Sequence, residues 1–262
     1  MTCISTRAIV LRKIEYGDAD LIITLFSSDQ GKLTVIAKGA KKSRKRFSGV
    51  LELFSTLNIV TRESRGRGLP ILQEASLIYP FVNIRSGIEK TAYASYWSEI
   101  VNVWMVDGQK QPGLYSLLES CLDALDQGHM TPDILSVFFQ IQFMKLCGFG
   151  PTLFHCTACC QDMMETQSPY MAVDIARGGI LCHNCQPKSF SCQNLSKGTI
   201  KLLQWMEKAD AVRAARLRPT PCSIHEGLDF LESFVPHHLG KQLHSLTFLR
   251  QLRAVSLNRH VC

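Results

Sequence analysis

Over the first 80 residues, apolar and polar positions alternate in short runs. Segments at 9–14, 21–26, 32–38, 53–61 and 69–78 are rich in Ile, Val, Leu, Thr and Phe, a pattern that predicts strands. Turn-forming stretches separate them, among them Tyr16-Gly17-Asp18-Ala19-Asp20, Asp29-Gln30-Gly31 and Gly66-Arg67-Gly68. Five strands in a segment this short predict a small barrel. The OB arrangement is preferred, because it leaves one face and its loops open to an oligonucleotide. An SH3-like barrel or an open meander fits the same pattern.

From about residue 83 the apolar period lengthens to nearly four. Ser86-Gly87-Ile88-Glu89 has the form of a capping box, and Ala92, Tyr96, Ile100, Val103 and Trp104 then fall on one helical face. A second helix is predicted over 112–126. A third opens with Thr131 as N-cap and Pro132 at the first helical position, and runs through Phe138, Ile141 and Leu146 to the terminator Gly148. Further on, Ser196 is read as the cap of a helix reaching about 208, and Ser223-Ile224-His225-Glu226 as a capping box for a helix toward 239. A last helix is predicted over 242–257, with Leu243, Leu246, Leu249, Leu252 and Val255 at three-residue steps. Residues 213–221, with two prolines, are read as a loop.

Charge changes the picture more than length does. The 262 residues carry a net charge of +7, and it is unevenly placed. Residues 1–80 hold 13 Lys and Arg against 7 Asp and Glu, whereas the remaining 182 residues hold 16 against 15. Excess positive charge on the first domain raises the potential there and attracts a polyanion. No apolar run approaches the ~20 residues that span a bilayer, so no membrane association is expected. The first ten residues lack the features of a secretion signal, and a cytoplasmic, nucleoid-associated location is expected.

Between the two helical stretches lie Cys156-Thr157-Ala158-Cys159 and Cys182-His183-Asn184-Cys185. A two-residue gap forms a knuckle that points two sulfurs at one ion, and two such pairs about twenty residues apart match a four-cysteine zinc site. Arg177-Gly178-Gly179 supplies the turn of a hairpin between them. The expected ligands are Cys156, Cys159, Cys182 and Cys185, holding one structural Zn2+, because four thiolates leave no open coordination position. Cys160 competes with Cys159, and Cys192 and His183 are weaker substitutes. Buried thiols or a redox pair are the plainer alternatives.

The predicted class is therefore α+β: an N-terminal five-stranded OB-type β-barrel followed by a helical domain with an inserted four-cysteine zinc module. The expected boundaries are 1–80 for the barrel, 81–152 and 193–262 for the two parts of the helical domain, and 153–192 for the zinc module.

Six cations crowd the stretch between the third and fourth strands: Lys38, Lys41, Lys42, Arg44, Lys45 and Arg46. Such runs are commonly solvated loops. This one joins strands of a nucleic-acid-type barrel, contains Gly39 and Ser43, and ends in Phe47, which favours DNA binding through phosphates, with affinity that falls as salt rises. Phe47 or Phe54 could stack on a base, but packing in the core is the preferred reading for each.

An enzyme is disfavoured. Acids such as Glu52, Glu74 and Asp174 are scattered singly, where metal-dependent nucleases cluster them, and no phosphate-binding loop motif is present. His225, His237 and His238 stand near no evident nucleophile. A protein–protein scaffold that binds an acidic partner, without direct contact to DNA, is the competing reading.

The stretches Ala8-Ile9-Val10-Leu11-Arg12-Lys13-Ile14-Glu15-Tyr16-Gly17-Asp18-Ala19-Asp20 and Gly31-Lys32-Leu33-Thr34-Val35-Ile36-Ala37-Lys38-Gly39-Ala40-Lys41-Lys42, the cysteine pairs, and His238-Leu239-Gly240 with Ser245-Leu246-Thr247-Phe248-Leu249 resemble the bacterial RecO family. The resemblance covers essentially the whole chain. It implies an OB domain, a helical domain and a zinc module; binding of single- and double-stranded DNA; annealing of complementary strands; and recombinase loading with RecR, RecF and the C-terminal tail of the single-strand binding protein. The extra Cys160 departs from the family's cysteine pattern.

Overall fold

The computed structural model describes residues 3–64, 66, 68–163, 168–186 and 193–259, with side chains to Val255. The first five strands are β1 (Cys3–Tyr16), β2 (Asp20–Ser27), β3 (Gly31–Ala37), β4 (Thr56–Arg62) and β5 (Ile71–Tyr79). They run in the order β1-β2-β3-β5-β4 and close on themselves, β1 pairing with both β2 and β4. The seam between β3 and β5 is thin, a single parallel pair of Ile36 with Ile71. Since β5 lies between β3 and β4, the sheet is not a meander; its order and partial opening are those of an OB-type sheet.

Strand β1 is far longer than its apolar stretch predicts. Its first half pairs with β4 and its second with β2, and the register shifts between Val10 and Arg12. Such an irregularity bends a strand and lets it belong to both sides of a closed sheet. Consecutive residues Ala8, Ile9, Val10 and Leu11 are consequently all buried, which strict alternation does not allow.

Two compact units divide the chain, one of Met1–Gln127 with Leu243–Cys262 and one of Gly128–Gln242. In the first, the sheet is joined by α1 (Val82–Ser86), α2 (Ile88–Trp104), α3 (Pro112–Gln127) and the last helix, α8 (His244–Arg259). Arg7 of β1, Thr56 of β4 and Tyr115 of α3 all donate to Oε1 of Glu119, tying sheet to helix. The capping box read at Ser86 does not form. Ser86 ends α1 and donates instead to the Asn83 carbonyl, while Gly87 stands at the N-cap of α2 without a side-chain bond.

The second unit is built on α4 (Pro132–Leu146), with Thr131 at the N-cap and Pro132 first. Nine of its side chains are buried around its circumference, so α4 is a core helix with neighbours on several sides. It packs against α5 (Lys197–Lys208) and α7 (Pro221–Leu239). A small sheet, ordered β7-β6-β8, comprises β6 (Tyr170–Asp174), β7 (Gly179–Leu181) and β8 (Gln193–Ser196).

Two expectations change here. The loop predicted at 213–221 is shorter, because α6 (Ala211–Ala215) occupies its start, capped by Asp210, and α7 begins at Pro221 with Thr220 as its cap. The second capping box is also absent: Glu226 Oε2 accepts from the Ser196 backbone N–H and the Thr199 hydroxyl at the start of α5, while its Oε1 accepts from the Cys222 thiol of its own helix. It serves the neighbouring helix's N-terminus, where a carboxylate satisfies orphan donors.

Candidate functional site

The cationic stretch begins where β3 ends. Gly39 adopts a left-handed φ of 67°, which lets the chain turn sharply into a 3-10 turn at Ala40–Lys42. The turn between β1 and β2 holds it there, through Gly39 N–H to Asp20 Oδ1 at 2.7 Å and Lys41 N–H to the Ala19 carbonyl at 2.9 Å. The Ser43 hydroxyl then accepts the N–H groups of Arg46 and Phe47. Ala40, Phe47 and Leu51 point inward and join the core cluster of the sheet.

Phe47 is only 4% exposed and Phe54 1%, so both belong to the core and neither is offered to a base. The spacing of apolar residues 40, 47 and 51 through a polar run was the available signal. Read as a cation run alone, the segment hides it.

Pinned from below, the loop turns its cations outward. Lys38, Lys41, Lys42, Arg44, Lys45 and Arg46 are all exposed. They are not equivalent. The Lys41 ammonium donates to Glu15 Oε2 and to the Gly17 carbonyl, both at 2.9 Å. The Arg46 guanidinium donates to the Lys38 carbonyl at 2.6 Å and lies 4.3 Å from the centroid of the Phe47 ring. The side chains of Lys38, Lys42, Arg44 and Lys45 have no hydrogen bond or ion pair among the described residues. They face water as unspent charge on a fixed backbone.

In the second unit, a different arrangement collects sulfur. Cys156, Cys159, Cys182 and Cys185 place their Sγ atoms within 4.8 Å of one another. The two knuckles are made by the backbone: Cys160 N–H donates to the Cys156 carbonyl, and the N–H groups of Cys185 and Gln186 both donate to the Cys182 carbonyl. A hairpin of β6 and β7 brings the second knuckle to the first, turning at Gly178 with φ 78°. Gly179 is required beside it, because a Cβ there would collide with the Thr152 carbonyl oxygen.

Cys159 and Cys182 sulfurs stand 3.7 Å apart, beyond any covalent S–S bond. A tetrahedron with metal–sulfur distances of about 2.3 Å has edges of about 3.8 Å, so this separation suits a shared ion. Cys160, exposed with a left-handed φ of 61°, and His183 lie outside the group of four. Cys192 lies outside the described residues.

Electrostatics point the same way. Burial works to raise the Cys156 thiol, but the N–H groups of Cys182, Cys159 and Ala158 directed at its sulfur prevail and hold it down at about 6. The sulfurs of Cys182 and Cys159 push Cys185 up to about 12. One thiolate forms readily and the next is resisted. A bound dication reverses that resistance, since a coordinating thiol is deprotonated outright.

Comparison with known proteins covers nearly the whole chain. Residues 1–81 match the family model described as Recombination protein O N terminal, and residues 85–247 match Recombination protein O C terminal. The chain belongs to the RecO family of DNA repair and recombination proteins. Similar members of the RecO family include the DNA repair protein RecO of Desulfatibacillum aliphaticivorans, 41% identical over 97% of this chain and 98% of that protein. That of Desulfosudis oleivorans is 40% identical over 95% and 98% respectively. That of Syntrophus aciditrophicus is 33% identical over 96% and 97%. No helix among the described residues of this RecO-family chain is long and apolar enough to cross a membrane.

Proposed function

We propose that the chain binds single- and double-stranded DNA through the outward cations of residues 38–46, anneals complementary strands, and assists recombinase loading in DNA repair. The observation that carries this reading is the pinned loop, on which Lys38, Lys42, Arg44 and Lys45 are exposed and unpaired among the described residues. Cations carried on a fixed backbone neutralise phosphates and release counterions without the loop itself having to be ordered, and such contacts carry almost no sequence preference. Annealing needs charge neutralisation and accessible bases, and calls for no catalytic group. Membership of the RecO family supports RecR, RecF and the C-terminal tail of the single-strand binding protein as partners, and work at the nucleoid in the cytoplasm.

Cys156, Cys159, Cys182 and Cys185 hold one zinc ion in this proposal, and the ion is structural. Bound there, it neutralises the thiolates and fixes the two knuckles to each other.

The test replaces Lys42, Arg44 and Lys45 together by Ala and follows the anisotropy of labelled single and double strands across a salt series. Loss of three phosphate contacts should flatten the slope of log affinity against log salt by about 2 for single strands and about 3 for duplex. Lys41→Ala, whose amine is already engaged by Glu15, should leave the slope nearly unchanged. An unaltered slope in the triple variant removes the loop from DNA binding. If the unmodified protein has no affinity for either strand form, an acidic protein partner becomes the better reading.

A further inference from the structure

We infer that α5 carries a second contact for single-stranded DNA, in which Trp205 stacks on a base and Lys201 and Lys208 engage the flanking phosphates. This rests on the proposed binding of single strands, but locates a separate site in the other compact unit.

Helix α5 is amphipathic: Ile200, Leu202, Leu203 and Met206 are buried against the unit's core. Its water-facing stripe runs Gly198, Lys201, Trp205, Lys208, in steps of three and four, so consecutive members are neighbours on one face. Trp205 is 40% exposed, whereas Trp97 is fully buried in the other unit. A half-exposed indole between two ammonium groups, at i−4 and i+3, combines the two elements that sequence-tolerant single-strand binding uses, a stacking surface and cations along the backbone.

Local surroundings leave the stripe available. Lys201 has no hydrogen bond or ion pair among the described residues. The Lys208 ammonium lies 4.7 Å from the centroid of the Phe154 ring, which orients it without neutralising it. Glu207 is the one carboxylate of α5, and at about 100° per residue it sits roughly 160° round the helix from Trp205. The helix N-terminus is already occupied by the carboxylate of Glu226, so the site is the lateral stripe and not the helix end. Lys201 and Lys208 are about 10 Å apart along the axis, with the indole between them. Paired bases in a duplex are stacked on each other and offer the indole no free face, so the contact selects single strands.

The full-length protein is titrated with a short oligothymidylate, following tryptophan emission together with the anisotropy of a labelled strand. Binding should quench the emission, and Trp205→Ala should abolish the quench. Since Ala is the best helix former on an exposed position, this variant should fold as the parent does, checked by far-UV circular dichroism. Its single-strand affinity should fall about tenfold, with duplex affinity unchanged. Lys201→Gln with Lys208→Gln should reduce the single-strand salt slope by about 1.4.

The variant lacking Lys42, Arg44 and Lys45 separates the two proposals. Weakened binding that still quenches Trp205 at saturation supports both sites. Undiminished binding with quenching supports the α5 site and overturns the loop. Oligonucleotide binding without quenching, and with unchanged salt slope in the lysine variants, overturns the α5 site alone. Trp205 would then be a surface for protein or an ordinary half-packed side chain. Absence of oligonucleotide binding in the parent overturns both.

Discussion

Residues 38–46 spread six cations over positions that face water, whereas four ionisable sulfurs of residues 156–185 converge within 4.8 Å of one another. Each region gathers groups able to carry like charge, but they relieve the repulsion differently. The loop keeps its charges apart and solvated, held from beneath by Ala40, Phe47 and Leu51. Its repulsion is screened by water and mobile ions, and a polyanion can replace those ions. The cysteine knuckles draw their charges inward, where backbone N–H groups stabilise one thiolate, at Cys156, while Cys185 is held protonated. An open cluster of charge leaves room for a polyanion. A converging one is a demand for a counterion.

The largest effect is expected where the inward cluster is denied a metal ion. Structural zinc sites contribute apparent binding energies of ~10–16 kcal/mol in small peptides, and part of that is folding energy. Cys182→Ser, at a buried knuckle position, should therefore lower the stability of the second unit by several kcal/mol and abolish stoichiometric metal. Metal analysis should find about one zinc per chain in the parent. Thermal unfolding with and without a strong chelator, joined to hydrogen exchange over 152–182, should show the loss confined to that unit. The loop's DNA affinity should change little. Metal-free protein with unchanged exchange at the knuckles would falsify the assignment.

The outward cluster breaks from below. Phe47→Ala removes no charge, yet it empties a core position that is 4% exposed. Truncating a buried Phe costs about 3–5 kcal/mol, so chemical denaturation should register a large drop in stability. The variant has a second expected effect. With the anchor gone, the cations remain but their fixed arrangement does not, so DNA affinity should fall while the salt slope stays near that of the parent. Leu51→Ala offers a milder form of the same change. A slope that falls with Phe47→Ala instead would mean that the loop's geometry decides which phosphates are reached, not only how tightly.

How much of this could be read from the sequence follows from how local each signal is. The cysteine knuckles were legible because two residues between ligands leave little freedom, and the grouping of 156, 159, 182 and 185 needs only a hairpin turn at Gly178 to complete it. Strands β2 and β3 were legible from their composition. The full extent of β1 was not, because its ends are strand only through two different partners, β4 and β2, and pairing across the fold leaves no local trace. Core packing is the preferred reading of Phe47 and it holds; that the same residue pins a run of cations was not legible, because its partners in the sheet are distant in the chain. Trp205 gave no local sign either, since an aromatic in a helical pattern reads as core until its face is known. Both capping boxes failed for a common reason: Ser-x-x-Glu records the residue types of a cap, but the partner of each side chain is chosen in three dimensions. Ser86 turned to Asn83, and Glu226 to another helix.

That last exchange supplies the smallest effect and the most exact one. Burial works to raise the Glu226 carboxyl, but donation from the Thr199 hydroxyl and the Ser196 backbone and side chain prevails, and holds it below its ordinary value near 4.5. A carboxylate lowered on folding contributes stability that is fully present above its unfolded value and disappears as pH falls through its folded one. The second unit should accordingly lose stability as pH falls below about 4.5, over and above the general effect of acid on the remaining carboxylates. Glu226→Gln can keep the acceptor oxygen but not the charge. It should cost on the order of 1 kcal/mol at neutral pH, a typical value for a charge-assisted bond at a helix start, and the cost should shrink as pH falls through the lowered folded-state value. Melting temperatures of parent and variant measured from pH 7 to 3 should therefore converge. If the gap between them stays constant across that range, the bond from Glu226 to α5 acts through shape and not through charge.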